Sequence, residues 1–256
     1  MRCLSLCFAL IAMLTAAPAL AWDIKAMNEQ IDQTNFMVNV GCSGTLIDEK
    51  NGYVLTANHC IMDQYEVVEH QKIDANGKVT IESIRVAKPG TVSQIFYNGP
   101  SEVQRVSYVF KIKASDAALD LALLQVQTKL PNTGAAHLSC KDVVRGSPVY
   151  AVGNSFGILY STVTNGIVSS VHRSYRDMSI AGQLGDLTDA GDHGLVQHSA
   201  AISGGNSGGA LYNDAGGFVG VNVRGAQQSG FSFAVPLSDV KAFLKSANID
   251  VACNAP

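Results

Sequence analysis

The feature that most constrains the fold is a succession of short β-branched and aromatic runs, each broken by a turn signal. Residues 79–85, 91–97 and 104–112 are rich in Val, Ile and Tyr and are separated from their neighbours by Ala75-Asn-Gly77 and Asn98-Gly-Pro100. Residues 42–47 and 53–56 flank a loop that ends in Asn51-Gly52, the pattern of a hairpin. The pattern recurs after residue 140, at 149–152, 161–171 and 230–236, and again around Asn213-Asp-Ala-Gly-Gly217. An all-β chain in two halves is expected, joined by the aperiodic stretch 129–140, which carries Pro131, Asn132 and Gly134. Residues 22–40 read as an amphipathic lead-in ending in a strand at 35–40, and the polar stretch 173–194 reads as a long surface loop. Near the C-terminus Val240, Phe243, Leu244 and Ala247 fall at helical spacing, with Ser238 or Asp239 as the expected cap.

Residues 1–21 have the layout of an export signal: Arg2, an apolar run at 4–14, and Ala19-Leu20-Ala21 as a cleavage site before Trp22. The mature chain is therefore expected to start at Trp22, in the periplasm or outside the cell, with no stable membrane anchor. Cys3 and Cys7 would leave with the signal. Cys42, Cys60, Cys140 and Cys253 remain, enough for two disulfides with three possible pairings. A net charge of -3 gives no electrostatic footprint for nucleic acid. No metal or other cofactor is expected.

Chemistry concentrates in Gly204-Gly205-Asn206-Ser207-Gly208-Gly209, one hydroxyl among glycines. Glycine lets the backbone take positive φ and lets a bulky group approach. A tight turn there can aim the amides of Gly205 and Ser207 the same way, making a pocket for a developing oxyanion. A plain glycine-rich hairpin has the same composition, so the nucleophile reading needs a base and an orienter elsewhere. Of the six histidines, His59 stands out because it ends an apolar strand. A neutral imidazole is the usual base for a serine hydroxyl. Asp120 heads the apolar run 121–124, where an unpaired carboxylate would be costly, and it suits an orienter of the imidazole.

With these residues in view, the chain resembles the chymotrypsin-like serine proteases, in particular the bacterial HtrA/Deg type. The matching pieces are Gly44-Thr-Leu-Ile47 with Gly52-Tyr-Val-Leu-Thr-Ala-Asn-His59; Asp120-Leu-Ala-Leu-Leu124; Gly153-Asn-Ser-Phe-Gly157 with Val163-Thr-Asn-Gly-Ile-Val-Ser169; Ala200-Ala-Ile202 with Gly205-Asn-Ser-Gly-Gly209; and Gly230-Phe-Ser-Phe-Ala-Val-Pro236. The resemblance implies two six-stranded antiparallel β-barrels, the first at about 36–128 and the second at about 141–236. A helix at 237–247 and a tail at 248–256 follow, so that 22–247 form one protease domain. It implies Ser207 as nucleophile, His59 as general base and then acid, Asp120 as orienter, and the Gly205 and Ser207 amides as the oxyanion hole. Cys42 and Cys60 are placed as in secreted trypsin-like enzymes, where a disulfide brackets the histidine; Cys140 is then left to Cys253. Deg-type proteins usually carry a PDZ domain, and too few residues follow 247 for one.

The implied activity is that of a serine endopeptidase acting on proteins or peptides. The alternatives are a catalytically silent binding or adhesion protein on the same fold, and an acyl-transfer enzyme of the α/β-hydrolase type. The order His59, Asp120, Ser207 opposes the last, whose order is Ser, Asp, His. By the same resemblance Ala201 floors the P1 pocket, Val223, Arg224 and Gly225 line it, and Asn222 stands where glutamate-specific relatives carry histidine. An uncharged pocket of this kind favours small to medium apolar P1 residues. Arg224 either favours acidic groups further along the peptide or is simply solvated. Oligomeric state is not legible.

Overall fold

The computed structural model describes residues 22–73, 75–99, 103–180, 193–226 and 230–254; the expected signal at 1–21 and most of the second half of the expected loop 173–194 lie outside the described residues. A helix α1 (Ile24–Thr34), N-capped by the Asp23 side chain, leads into the first barrel. Its strands are β1 (Asn35–Val38), β2 (Cys42–Asp48), β3 (Tyr53–Ala57), then, after a 3-10 helix (Asn58–Gln64) and a side hairpin, β6 (Gly90–Tyr97), β7 (Val103–Asp116) and β8 (Leu121–Val126). The hairpin strands β4 (Tyr65–Ile73) and β5 (Val79–Ala87) pair only with each other. The barrel closes in the order β1-β2-β3-β8-β7-β6, all antiparallel.

The second barrel contains β9 (Pro148–Ser155), β10 (Leu159–Ser174), β11 (Gly194–His198), β12 (Ala210–Asn213), β13 (Phe218–Ala226) and β14 (Phe231–Pro236), closed as β10-β11-β14-β13-β12-β9. A short helix α2 (Tyr175–Ile180) follows β10, and α3 (Leu237–Ser246) follows β14. The two closed six-stranded antiparallel barrels with a short C-terminal helix are the chymotrypsin-like fold. No helix among the described residues is long and apolar enough to cross a membrane.

Strand periodicity accounts for the shared core. On β3 and β8, Val54, Ala122, Leu124 and Val126 fill the first barrel, while Leu55, Ala57, Leu121 and Leu123 point the other way. The outward set packs with Val152, Tyr212, Phe218, Val221 and Val235 of the second barrel, so both faces of these strands are buried. That is why the run 121–124 is apolar without alternation.

Three expectations need correction. The first strand stops at Val38, because Asn39 turns to φ 52° and Val40 is exposed. The loop expected at 173–194 begins as structure: β10 continues to Ser174, and Ser174 and Asp177 then cap α2 reciprocally. Ser174 N donates to Asp177 Oδ2 at 3.0 Å, and Asp177 N donates to Ser174 Oγ at 3.3 Å. Finally, α3 starts directly from Pro236, so Ser238 and Asp239 lie within its first turn and neither caps it.

Candidate active site

His59 stands where β3 gives way to the 3-10 helix. The five residues of β3 are buried, and Asn58 N donates to Asp120 O at 3.1 Å, which pins the turn to the start of β8. Asp120 sits just before β8 with φ 53°, and only 2% of it is exposed. That left-handed backbone, which Asp tolerates better than most residues, turns its carboxylate back onto the histidine. The His59 amide donates to Asp120 Oδ1 at 2.9 Å, while Nδ1 lies 2.8 Å from Oδ2 and 3.1 Å from Oδ1. A carboxylate against Nδ1 holds the proton of the neutral ring there and leaves Nε2 as an acceptor.

The Ser207 loop is pressed into the seam between barrels. Gly205 has φ 97° and Gly208 φ 85°; a Cβ on Gly205 would collide with Asn154 O and one on Gly208 with Ser43 O. The loop is tied on both sides, by Ser43 N to Ser207 O at 2.8 Å, by Gly208 N to Asn222 O at 2.7 Å and by Asn222 N to Gly209 O at 2.9 Å. A buried knot holds it from below. The Ser43 hydroxyl donates to Gly205 O at 2.7 Å and accepts from Asn154 N at 2.7 Å and Asn154 Nδ2 at 3.1 Å, which uses its one proton and both lone pairs. Gly204 O accepts from Phe156 N at 2.5 Å, so the Gly205 amide of the same trans peptide faces away from that bond. Asn206, Gly208 and Gly209 each donate their amide to a backbone carbonyl, whereas the Gly205 and Ser207 amides find no backbone acceptor among the described residues. The Ser207 hydroxyl donates to Val223 O at 3.3 Å.

Cys42 is bonded to Cys60 and Cys140 to Cys253. The first disulfide lies beside His59, with Cys60 Sγ 3.6 Å from Ser207 O. Cys42, Cys60 and His59 have ligand-type atoms within 4.8 Å of one another, but sulfurs spent in a disulfide offer no thiolate to a metal.

Around the expected pocket, Ala201 is exposed and its carbonyl accepts from Thr164 Oγ1 at 2.7 Å. Gly225 backs onto Ile202, whose carbonyl a Cβ would meet at 2.7 Å, and Val223 is buried. Asn222 has no exposed surface; its Nδ2 donates to Ala210 O at 2.7 Å. Arg224 is half-buried with its Nε shielded from solvent, which removes the reading as a freely solvated side chain. His198, among the histidines set aside in the sequence, lies wholly inside the second barrel. Burial pushes it down to about 4, against smaller opposing contributions from the Asn222 side chain and the Ala200 backbone.

Sequence reasoning missed Ser43 and Asn154. Asn154 lies in the glycine-flanked motif Gly153-Asn-Ser, but its role depends on a partner 111 residues away. The Ser-x-x-Asp capping pattern at 174–177 could have located α2.

The profile of the trypsin-like peptidase domain matches residues 42–221. The chain belongs to this family. Among curated relatives it is similar to the periplasmic serine endoprotease DegP of Salmonella typhimurium, 31% identical over 204 residues, covering 78% of this chain and 34% of that protein. It is also similar to the mitochondrial serine protease HTRA2 of Bos taurus, 36% identical over 138 residues, covering 54% of this chain and 28% of that one. The chain thus spans about a third of the length of such relatives. The serine endoprotease from Yersinia pestis has the same fold, with a TM-score of 0.57 at 22% identity over 86% of this chain and 66% of that one.

Proposed function

We propose that this chain is an exported serine endopeptidase that cleaves proteins or peptides through an acyl-enzyme on Ser207, with 22–247 as the protease domain. The observation that carries the reading is the pairing of His59 with the buried Asp120 carboxylate, beside a tied-down loop whose Gly205 and Ser207 amides have no backbone acceptor among the described residues. A rotation of the Ser207 side chain moves its hydroxyl from Val223 O toward the Nε2 face of His59. His59 then takes the proton as Oγ attacks the scissile carbonyl, and Asp120 stabilises the imidazolium. The two amides receive the oxyanion, after which His59 returns the proton to the leaving amine and activates water for deacylation. The periplasmic DegP relatives and the residues 1–21 support export.

Ala201, Val223, Arg224 and Gly225 form the P1 pocket in this reading. With no acidic residue at Ala201, Lys and Arg gain no ion pair, and small to medium apolar side chains are favoured by about 1 to 3 kcal/mol per methylene-scale difference. Cleavage of casein by the mature chain, mapped by mass spectrometry, should show cuts after residues such as Val, Ala and Leu and none with Ser207→Ala. Dominant cuts after Lys or Arg would overturn the pocket assignment; undiminished cleavage by Ser207→Ala would overturn the mechanism.

A further inference from the structure

The loop that carries Ser207 is fixed by four carbonyls in a row. Gly204 O accepts from Phe156 N at 2.5 Å, Gly205 O from Ser43 Oγ at 2.7 Å, Asn206 O from Gly209 N at 3.0 Å and Ser207 O from Ser43 N at 2.8 Å. Three of these donors are backbone amides, which almost any sequence would supply. The other is a side chain, and it holds the middle peptide, the unit between the one that bears the Gly205 amide and the one that bears the Ser207 amide. A turn of that unit is passed to both amides, because each peptide is a rigid plane.

The direction of the Ser43 proton is set from further out. Asn154 has no exposed surface, and its carboxamide meets four groups. Nδ2 donates to Phe36 O at 3.0 Å and to Ser43 Oγ at 3.1 Å, while Oδ1 accepts from Asn35 Nδ2 and from Ser161 N, both at 3.1 Å. Phe36 O can only accept and Ser161 N can only donate, so the carboxamide fits in one orientation. Its Nδ2 and the Asn154 amide, the latter at 2.7 Å, then fill both lone pairs of the Ser43 hydroxyl, and the proton is left to Gly205 O. The knot is tight as well as buried, since a Cβ on Gly153 would lie 3.0 Å from Ser43 Oγ.

We propose that Ser43 is a positioning residue for the proposed hydrolysis: its hydroxyl, aimed by Asn154, locks the peptide between Gly205 and Asn206 and so keeps the Gly205 and Ser207 amides converged on one oxyanion. The inference rests on the reading of those two amides as the oxyanion hole. Preorganised donors stabilise developing charge because they need not turn at the moment of reaction. Without the Ser43 proton, Gly205 O is a buried acceptor stripped of its donor, and the middle peptide gains by turning toward another. Glycine resists that turn little, having no side chain to narrow its backbone range. The glycine that the loop requires is thus the reason the loop needs a side-chain lock. Neither Ser43 nor Asn154 touches substrate in this account, so the cost of losing the lock falls on the charged state and not on ground-state binding.

The test separates those two costs. Ser43→Ala should lower kcat on a peptide ester by about ten- to a hundredfold and leave KM within about twofold of the parent. A peptide boronate reads the same point: Ser207 Oγ adds to boron, its proton passes to His59, and the anionic tetrahedral adduct sets an oxygen on the two amides. Its inhibition constant should rise by about the factor lost in kcat. Asn154→Asp keeps Ser43 but replaces the Nδ2 donor with a carboxylate oxygen that draws the Ser43 proton off Gly205 O. It should reproduce the loss, and the double variant should be no worse than the more impaired single one, because both act through one bond. This second variant carries the test if Ser43→Ala does not fold. A parent-like kcat in either variant, a loss expressed in KM, or an unchanged boronate constant would overturn the proposal. If the parent itself hydrolyses nothing, the protease reading fails on its own. The role of Ser43 is then decided by NMR: the Gly205 and Ser207 amide resonances should shift in Ser43→Ala while that of Gly225 stays in place, and unmoved Gly205 and Ser207 resonances would overturn it.

Discussion

Gly205 shows at the residue scale how little freedom the candidate site retains. Its φ of 97° is one that side-chain-bearing residues reach only with strain, and a Cβ there would also run into the Asn154 carbonyl and the Phe156 amide. Both obstacles are backbone atoms, so no side chain can swing aside. Gly205→Ala should therefore turn the free amide away from the oxyanion position and lower kcat by about a hundred- to a thousandfold. The loss should come with KM little changed, measured on a peptide ester. A variant as active as the parent would show that the amide is not used. Ser207, His59 and Asp120 were legible because each is chemically out of place: a hydroxyl among glycines, a histidine closing an apolar strand, a carboxylate opening one. Ser43 and Asn154 were not, because nothing local marks them; their work is done on partners brought near only by barrel closure.

At the scale of elements, hairpins were the most legible, since Asn51-Gly52 and 213–217 supply turn chemistry that dictates the pairing of β2 with β3 and of β12 with β13. The helix α2 was hidden by the polar, glycine-rich composition that follows it. Strand β11 carries a hazard of its own in His198, which sits in the barrel interior with both ring nitrogens shut off from solvent. Strand β13, next but one to β11 in the barrel, bears Asn222, whose backbone bonds Gly208 and Gly209 of the Ser207 loop. Because burial lowers the folded-state value of His198 to about 4, the unfolded chain binds the extra proton first as pH falls. Stability is therefore full above about 6.5 and declines as pH drops from there toward 4, by about 3 kcal/mol from this group. Urea unfolding across that window should show the slope, and His198→Leu should flatten it. An identical slope in that variant would place the acid sensitivity elsewhere.

At the scale of the molecule, the structure supplies the reason for the continuous apolar run at 121–124: one face of the strand fills a barrel and the other the seam between barrels. The sequence could not say which surface the second face meets, since that depends on the packing of two barrels. The same seam positions the site, with His59 and Asp120 delivered by the first barrel and Ser207 by the second. Cys140–Cys253 ties the tail to the connection between barrels across 113 residues. Closing so long a loop restricts the unfolded chain, and replacing both cysteines with serine should cost about 4 kcal/mol, seen as a lowered Tm. An unchanged Tm would mean that the tail contributes no constraint.

The central claim is that the seam activates one hydroxyl above all others. Exposing the mature chain to a fluorophosphonate and locating the adduct by peptide mass spectrometry tests it most directly. The account predicts a single stoichiometric phosphonylation on Ser207, abolished by His59→Ala and by prior unfolding. A chain that stays unmodified while folded, or an adduct on any other residue, would contradict it.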